Sequence, residues 1–262
     1  MRPDAFYEPD GDLFHPTAAT IGPWSPDAQH AGPPSALLAR AIERVSTIAD
    51  GQTARISFDI LGPVPLAPLR TTATVLRPGR RVELCEASLS RAHDGAPVMH
   101  ARAWRMRRET LDAPIPGPDP PLPPPEEQRL GGRPTFWEGE HVFWDMLEWR
   151  WVHGDIDWLG PAAAWSRLKV ALVAGEPATP LQHLITMTDA ASGASRVLDF
   201  NDYVFANVDL NLVLERPPAG EWMGMDAVTT LGPEGAGAAN ATLYDATGRV
   251  GTSSAALLVA AK

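Results

Sequence analysis

One pattern constrains this chain more than any other: a spacing that recurs on either side of its middle. Ala54 to Leu61 (ARISFDIL) alternates, with Ile56, Phe58 and Ile60 on one face and Asp59 on the other, as a half-buried strand does. Tyr203 to Leu214 (YVFANVDLNLVL) alternates in the same way, and its Asp209 lies 150 positions after Asp59. Further on, the Asp94-Gly95 turn is answered by Thr247-Gly248, 153 positions later. An offset kept over about forty residues implies one structural unit written twice.

Proline marks the boundary between the copies. The chain holds 27 prolines in 262 residues, and eight of them fall between Pro114 and Pro125. Such a run lacks amide donors and favours an extended conformation, so it fits neither a helix nor a central strand. It predicts a semi-rigid linker over 113–134, between modules at 1–112 and 135–262. Each module reads as a helix followed by strands. In the first, Pro33 to Thr47 carries Leu37, Leu38, Ala41, Ile42 and Val45 at helical spacing, and its prolines suit a first turn whose amides have no helical partners. Strands are expected at 54–61, 69–77, 81–92 and 97–107, with turns at Pro78-Gly79 and Asp94-Gly95. In the second, a shorter helix over 181–190 precedes strands at 203–214, 221–231, 237–245 and 249–260. One apolar helix followed by four alternating strands predicts an α+β module, a curved antiparallel sheet around a helix.

Composition narrows the function classes. A net charge of −10 with a pI near 5.1 lacks the basic footprint of a nucleic-acid binder. No apolar run reaches the roughly 18 residues of a membrane span, and the first ten residues carry no apolar signal core, so a cytoplasmic protein is expected. Cys85 is the one cysteine and the seven histidines lack a ligand-like spacing, so no metal and no cofactor is expected. Asp10 and His15 only echo a hydratase-like pair and precede the helix that such a pair should follow. Six tryptophans (Trp137, Trp144, Trp149, Trp151, Trp158 and Trp165) crowd 29 residues; packing explains them better than ligand stacking, because each buries a large area wherever it lies.

Four stretches carry a resemblance. Gln29-His30-Ala31-Gly32-Pro33-Pro34-Ser35-Ala36-Leu37-Leu38-Ala39-Arg40 resembles the start of the central helix in the double-hotdog acyl-CoA thioesterases of the thioesterase II (TesB-like) family. Gly154-Asp155-Ile156-Asp157-Trp158-Leu159-Gly160, Val208-Asp209-Leu210 through Glu215-Arg216-Pro217, and Tyr244 to Gly251 are similar to that family's second half. The resemblance covers nearly the whole chain and implies a double hotdog with an acyl-thioester site between its modules. Family members are similar in holding the attacking water with an aspartate, a threonine or serine, and a glutamine. By resemblance the aspartate falls on Asp209 and the hydroxyl on Thr230, beside Thr229. The glutamine falls on Ala255, with Ser253 and Ser254 as neighbours, so that member is lost. Gly32 would let a ligand carbonyl approach backbone amides at the helix start, and His30 could add a donor or general acid. Pro33 and Pro34 have no N–H, which leaves Gly32 and Ser35 as amide donors. Coenzyme A phosphates would need a local basic patch; Arg77, Arg80 and Arg81 flank one turn, and Arg102, Arg105, Arg107 and Arg108 crowd the end of the first module. The expected partner is an acyl-CoA, with pairing of exposed sheet edges into a homo-oligomer open. A non-catalytic acyl or acyl-CoA binder of the same fold is the alternative to an enzyme.

Overall fold

The computed structural model describes residues 3–114, 119–135 and 142–262. The centre of the proline run, 115–118, and Trp137 lie outside the described residues.

The chain opens with a hairpin, β1 (Ala5–Asp10) and β2 (Leu13–Pro16), and then enters α1 (Gly32–Val45). Four strands follow: β3 (Gly51–Ile60), β4 (Leu69–Arg77), β5 (Val82–Arg91) and β6 (Pro97–Arg107). After the proline-rich segment come β7 (Arg129–Leu130), α2 (Val142–Asp145), β8 (Leu147–His153), β9 (Ala162–Leu168) and β10 (Ala171–Val173). The second helical stretch is α3 (Pro180–Thr188) and α4 (Ala191–Ala194), and the chain ends in β11 (Tyr203–Asn207), β12 (Asp209–Leu214), β13 (Met223–Leu231), β14 (Ala236–Asp245) and β15 (Gly248–Ala261).

Why α1 is central follows from its composition. Nearly every side chain from Pro33 to Ile42 is buried, Arg40 included, and only the last turn, with Arg44, reaches solvent. A helix apolar on all sides must be enclosed. The enclosing sheet runs β10-β1-β2-β4-β5-β6-β3-β12-β15-β14-β13-β9-β8-β7, with β11 on β15. Only Lys169 and Val170 separate β9, near one end of this path, from β10 at the other. A three-residue reach is about 10 Å, so the sheet curls until its ends nearly meet, around α1 and α3. Arg40 is tolerated inside because its guanidinium donates to Glu176 at 2.9 and 2.7 Å, a bidentate pair.

The modules meet at β3 and β12, which pair antiparallel with Asp59 directly opposite Asp209. The two aspartates that the repeat makes equivalent are thus neighbours, and the local two-fold runs through that pair. β1 also pairs in parallel with β10, Ala5 with Ala171 and Tyr7 with Val173, so the first residues are stitched to the second half. The end of the proline-rich segment is docked as well: Trp165 Nε1 donates to Pro123 O at 2.8 Å. Trp165 is fully buried, and Trp144, Trp149 and Trp151 stack with centroids 4.4 to 6.4 Å apart. Trp158 is half-exposed. No helix among the described residues is long and apolar enough to cross a membrane.

The expected strand over 203–214 is instead two strands. Phe205 is buried on β11, but on β12 the buried positions are Leu210, Leu212 and Leu214. The buried parity changes from odd to even, which takes one extra residue. That residue lies at Val208–Asp209, between β11 and β12.

Candidate functional site

A cleft of about 490 Å³ opens where the start of α1 meets the second module. Its walls are apolar: Trp24, Ile60, Leu61, Phe143, Phe200 and Val208 contribute most of its character. At one end the lining turns polar, with His30, Asp189, Ser192 and Asn207. An apolar cavity with a few convergent polar groups is the usual form of a small-molecule site.

Each polar side chain is placed by a different element. His30 sits two residues before α1 and lies flat on Phe143, ring centroids 3.7 Å apart. Asp189 ends α3, and Asn207 ends β11. His30 Nδ1 is 2.8 Å from Asp189 Oδ2 and 3.3 Å from the Gly32 amide. The shorter, carboxylate contact takes the proton, so Nδ1 donates to Asp189 and Nε2 is left as an acceptor. Asn207 Nδ2 donates to Asp189 Oδ1 at 2.6 Å and to Asp189 O at 3.0 Å. Ser192 Oγ donates to Asn207 Oδ1 at 3.0 Å. Asp189 is buried, so its carboxylate depends on these donors. Such a cluster holds one imidazole nitrogen as a proton acceptor beside an apolar cavity.

Other buried reactive groups do not join it. Burial pushes the Cys85 thiol up to about 11, away from thiolate chemistry. Burial also lowers His183 to about 3, and its Nε2 lies 3.0 Å from Ser166 Oγ.

The residues expected from the sequence separate. His30 lines the cleft, whereas Asp209, Thr230 and Ala255 do not. Asp209 lies on the outer side of the sheet, its carboxylate accepting from Ala256 N at 2.6 Å and from Asn211 Nδ2 at 2.8 Å. Thr230 is exposed on β13, three strands away through Ala238 and Ala256. Three strand spacings are about 14 Å, too far for both to hold one water. Ala255 is buried on the opposite, inner side; alternation along β15 prevents it from sharing a face with Asp209 or Thr230. Thr229 also points inward, its Oγ1 2.8 Å from Ser195 Oγ.

Gly32 is needed for a reason other than ligand approach. A Cβ there would lie closer than 3.0 Å to Thr186 O and 3.2 Å from Thr186 C, so the glycine lets α1 touch the backbone of α3. The arginines stand at the far end of the first sheet. Gly51 pairs with Arg107, Ile60 with Met99, and Arg107 N donates to Arg81 O at 2.8 Å. Ile60 borders the cleft, and nine residues of strand span about 30 Å, so Arg77, Arg80 and Arg81 do not adjoin it. Arg77 instead lies 5.9 Å over the Trp104 ring, and Arg81 pairs with Glu109 at 3.9 Å.

Asp189 and Asn207 were missed, and only Asp189 left a signal. A carboxylate in the last turn of an expected helix opposes the helix dipole, so Asp189 is not there to stabilise the helix. Asn207 left none, because alternation across 203–214 sets it with Asp209 and Asn211 on the polar face.

The sequence model of the acyl-CoA thioesterase N-terminal domain matches residues 20–106, and that of the C-terminal domain matches residues 117–259. A hot dog fold protein from Alicyclobacillus acidocaldarius superposes with a TM-score of 0.74 at 16% identity, covering 99% of this chain and 97% of its own. A protein described as a thioesterase from Novosphingobium aromaticivorans gives 0.69 at 22% identity, covering 95% and 96%. The acyl-CoA thioesterase II TesB2 of Mycobacterium marinum gives 0.66 at 14% identity, covering 97% and 94%. These likenesses establish the double hotdog fold. No curated protein matches the sequence.

Proposed function

The chain belongs to the acyl-CoA thioesterase family, and from that premise we propose that it hydrolyses acyl-CoA thioesters in the cleft at the start of α1. The observation that carries this reading is the His30–Asp189–Asn207 cluster at the polar end of an apolar cavity.

The reaction needs a water oriented toward the thioester carbonyl, a group to take its proton, and donors for the oxygen that becomes negative. The apolar walls take the acyl chain and exclude bulk water. Water held at the polar end attacks the carbonyl carbon and gives its proton to the Asp189–His30 pair. The carbon–sulfur bond then breaks, and the proton passes to the departing sulfur. Donors for the oxyanion come from the start of α1. Pro33 and Pro34 have no N–H, and the Ser35 amide donates to Ala31 O at 3.0 Å. The Gly32 amide is directed at His30 Nδ1, 3.3 Å away, so the Ala31 amide remains, at the positive end of the helix dipole.

The alternative, an acyl-CoA binder without turnover, has the same fold and the same apolar cleft. Thiol release from a panel of fatty acyl-CoAs separates them when wild type is compared with Asp189→Asn and His30→Ala. Turnover that both substitutions suppress supports the enzyme. Tight acyl-CoA binding with no thiol release at any chain length supports the binder, and unchanged turnover in both variants removes the cleft cluster from the chemistry. Asp209→Asn and Thr230→Ala belong in the same panel, because the family resemblance alone points to those positions.

A further inference from the structure

The cleft takes its walls from both modules, and most of what joins them is fixed by the fold. Beside β3 and β12 the Ile60 amide donates to Val208 O at 3.0 Å. Next to the start of α1, His30 lies on Phe143 and pairs with Asp189. A further contact comes from the loop 22–28 of the first module. Its Trp24 reaches across to Phe200 and Phe205 of the second, with ring centroids 5.0 and 5.1 Å apart. Those two phenylalanines are buried and 4.6 Å from each other, whereas Trp24 is 37% exposed. Trp24 and Phe200 both line the cleft, so the indole stands between its apolar space and solvent.

The loop that carries Trp24 is stiff. Its neck is closed by the Gly22 amide donating to Ala28 O at 3.0 Å, and Leu66 N donates to Asp27 O at 3.2 Å. Ser25 Oγ accepts from the Asp27 amide at 3.1 Å. Pro23 and Pro26 fix their own φ angles and restrict the residue before each. These hydrogen bonds stay within the first module, and what the loop offers the second is the Trp24 ring. An indole on so constrained a loop is a wall, not a flap. Phe205 stands two residues before Asn207 on β11, about 7 Å along the strand, so this wall is set apart from the polar end of the cleft. An acyl chain that starts at the polar end gains about fourfold in affinity for each methylene it buries. That gain stops where the wall stands.

We propose that Trp24 is a specificity-determining residue, a fixed wall that sets the longest acyl chain the cleft accepts. The inference rests on the cleft as the acyl site and is independent of which side chains handle the water. Alkyl-CoA thioethers from butyl to hexadecyl carry the chain but no thioester. They are titrated calorimetrically into full-length wild type, Trp24→Ala, Trp24→Phe and Phe200→Ala, and thiol release from the matching acyl-CoAs is measured alongside. For wild type, Kd falls about fourfold with each methylene up to a limiting length and then levels or rises. Trp24→Ala moves that limit to longer chains and leaves Kd for the shorter ones unchanged. Trp24→Phe moves it less, and the limiting length in kcat/KM shifts in the same order. Phe200→Ala removes the ring on which Trp24 rests; it also moves the limit, and it carries the test if Trp24→Ala does not fold. A limit that stays in place in Trp24→Ala, or a loss of affinity equal at every length, overturns the proposal. So does a wild type whose affinity keeps rising through hexadecyl, or one that binds no thioether. Failure of hydrolysis reads differently: wild type then releases no thiol, while the thioether series still shows the limit and its shift.

Discussion

Replacing Gly32 with alanine sets two physical terms against each other. Alanine is the better helix former by up to about 1 kcal/mol, which favours the variant. Against this, the new Cβ would sit closer than 3.0 Å to Thr186 O and 3.2 Å from Thr186 Cα, and neither atom belongs to a flexible side chain. Thr186 is itself fixed, being buried with Oγ1 donating to Gln182 O at 2.8 Å. The two helices must separate, and overpacking of that kind costs about 3 kcal/mol at the upper end of its usual range. The net expectation is a loss of about 2 kcal/mol, or about 4–8 °C in Tm for a chain of this size. Calorimetry and urea unfolding read the change directly. Were Gly32 present only to admit a ligand, Gly32→Ala would keep its stability and lose turnover. A variant as stable as wild type would refute the helix-contact argument.

Other outcomes follow from the same structure. His30→Ala and Asp189→Asn should each lower kcat by about 100- to 10,000-fold, the range for a general acid–base group, measured by thiol release from acyl-CoA at saturating substrate. Because burial holds His183 near 3 when folded, against an ordinary value of about 6.5, the unfolded chain binds the extra proton between those values. Stability should then fall as pH drops below about 6.5, and His183→Gln should flatten that slope in urea titrations. Burial alone would raise the Asp245 carboxyl, but Arg216, Thr247 and the Ala219 amide hold it below its usual range. Its contribution is present above about pH 4 and is lost as pH falls through the folded value. Asp245→Asn, which leaves Arg216 without its carboxylate, should cost about 3 kcal/mol near neutrality, read as a lower urea midpoint with unchanged slope.

The parts of the fold legible in the sequence were those governed by local periodicity. The helix expected over 33–47 is Gly32–Val45, and the strands expected at 69–77, 97–107 and 237–245 are Leu69–Arg77, Pro97–Arg107 and Ala236–Asp245. Elements held by distant partners left no such pattern. β10 has three residues and exists because β1 pairs with it, and β7 has two residues that pair with β8. The candidate site was less legible for a single reason. Alternation read across 203–214 puts Asn207 and Asp209 on one face, and one extra residue at Val208–Asp209 sends them to opposite faces. His30 could be found because it stands beside a helix start that the sequence marks with two prolines. Asp189 and Asn207 reach it from elements more than 150 positions away, a convergence that no local pattern encodes.

The two-fold through Asp59 and Asp209 has an evolutionary consequence. In a pair of identical chains every substitution appears twice, so the two halves cannot specialise. Joined in one polypeptide, they have divided the labour. The start of α3 is closed by a reciprocal Thr179–Gln182 capping box, while the start of α1 has no side-chain cap and presents His30 to the cleft. Asp59 stays exposed to solvent, while its counterpart accepts from the Ala256 amide. The cleft draws on both halves unequally, His30 coming from the first and Asp189, Ser192 and Asn207 from the second.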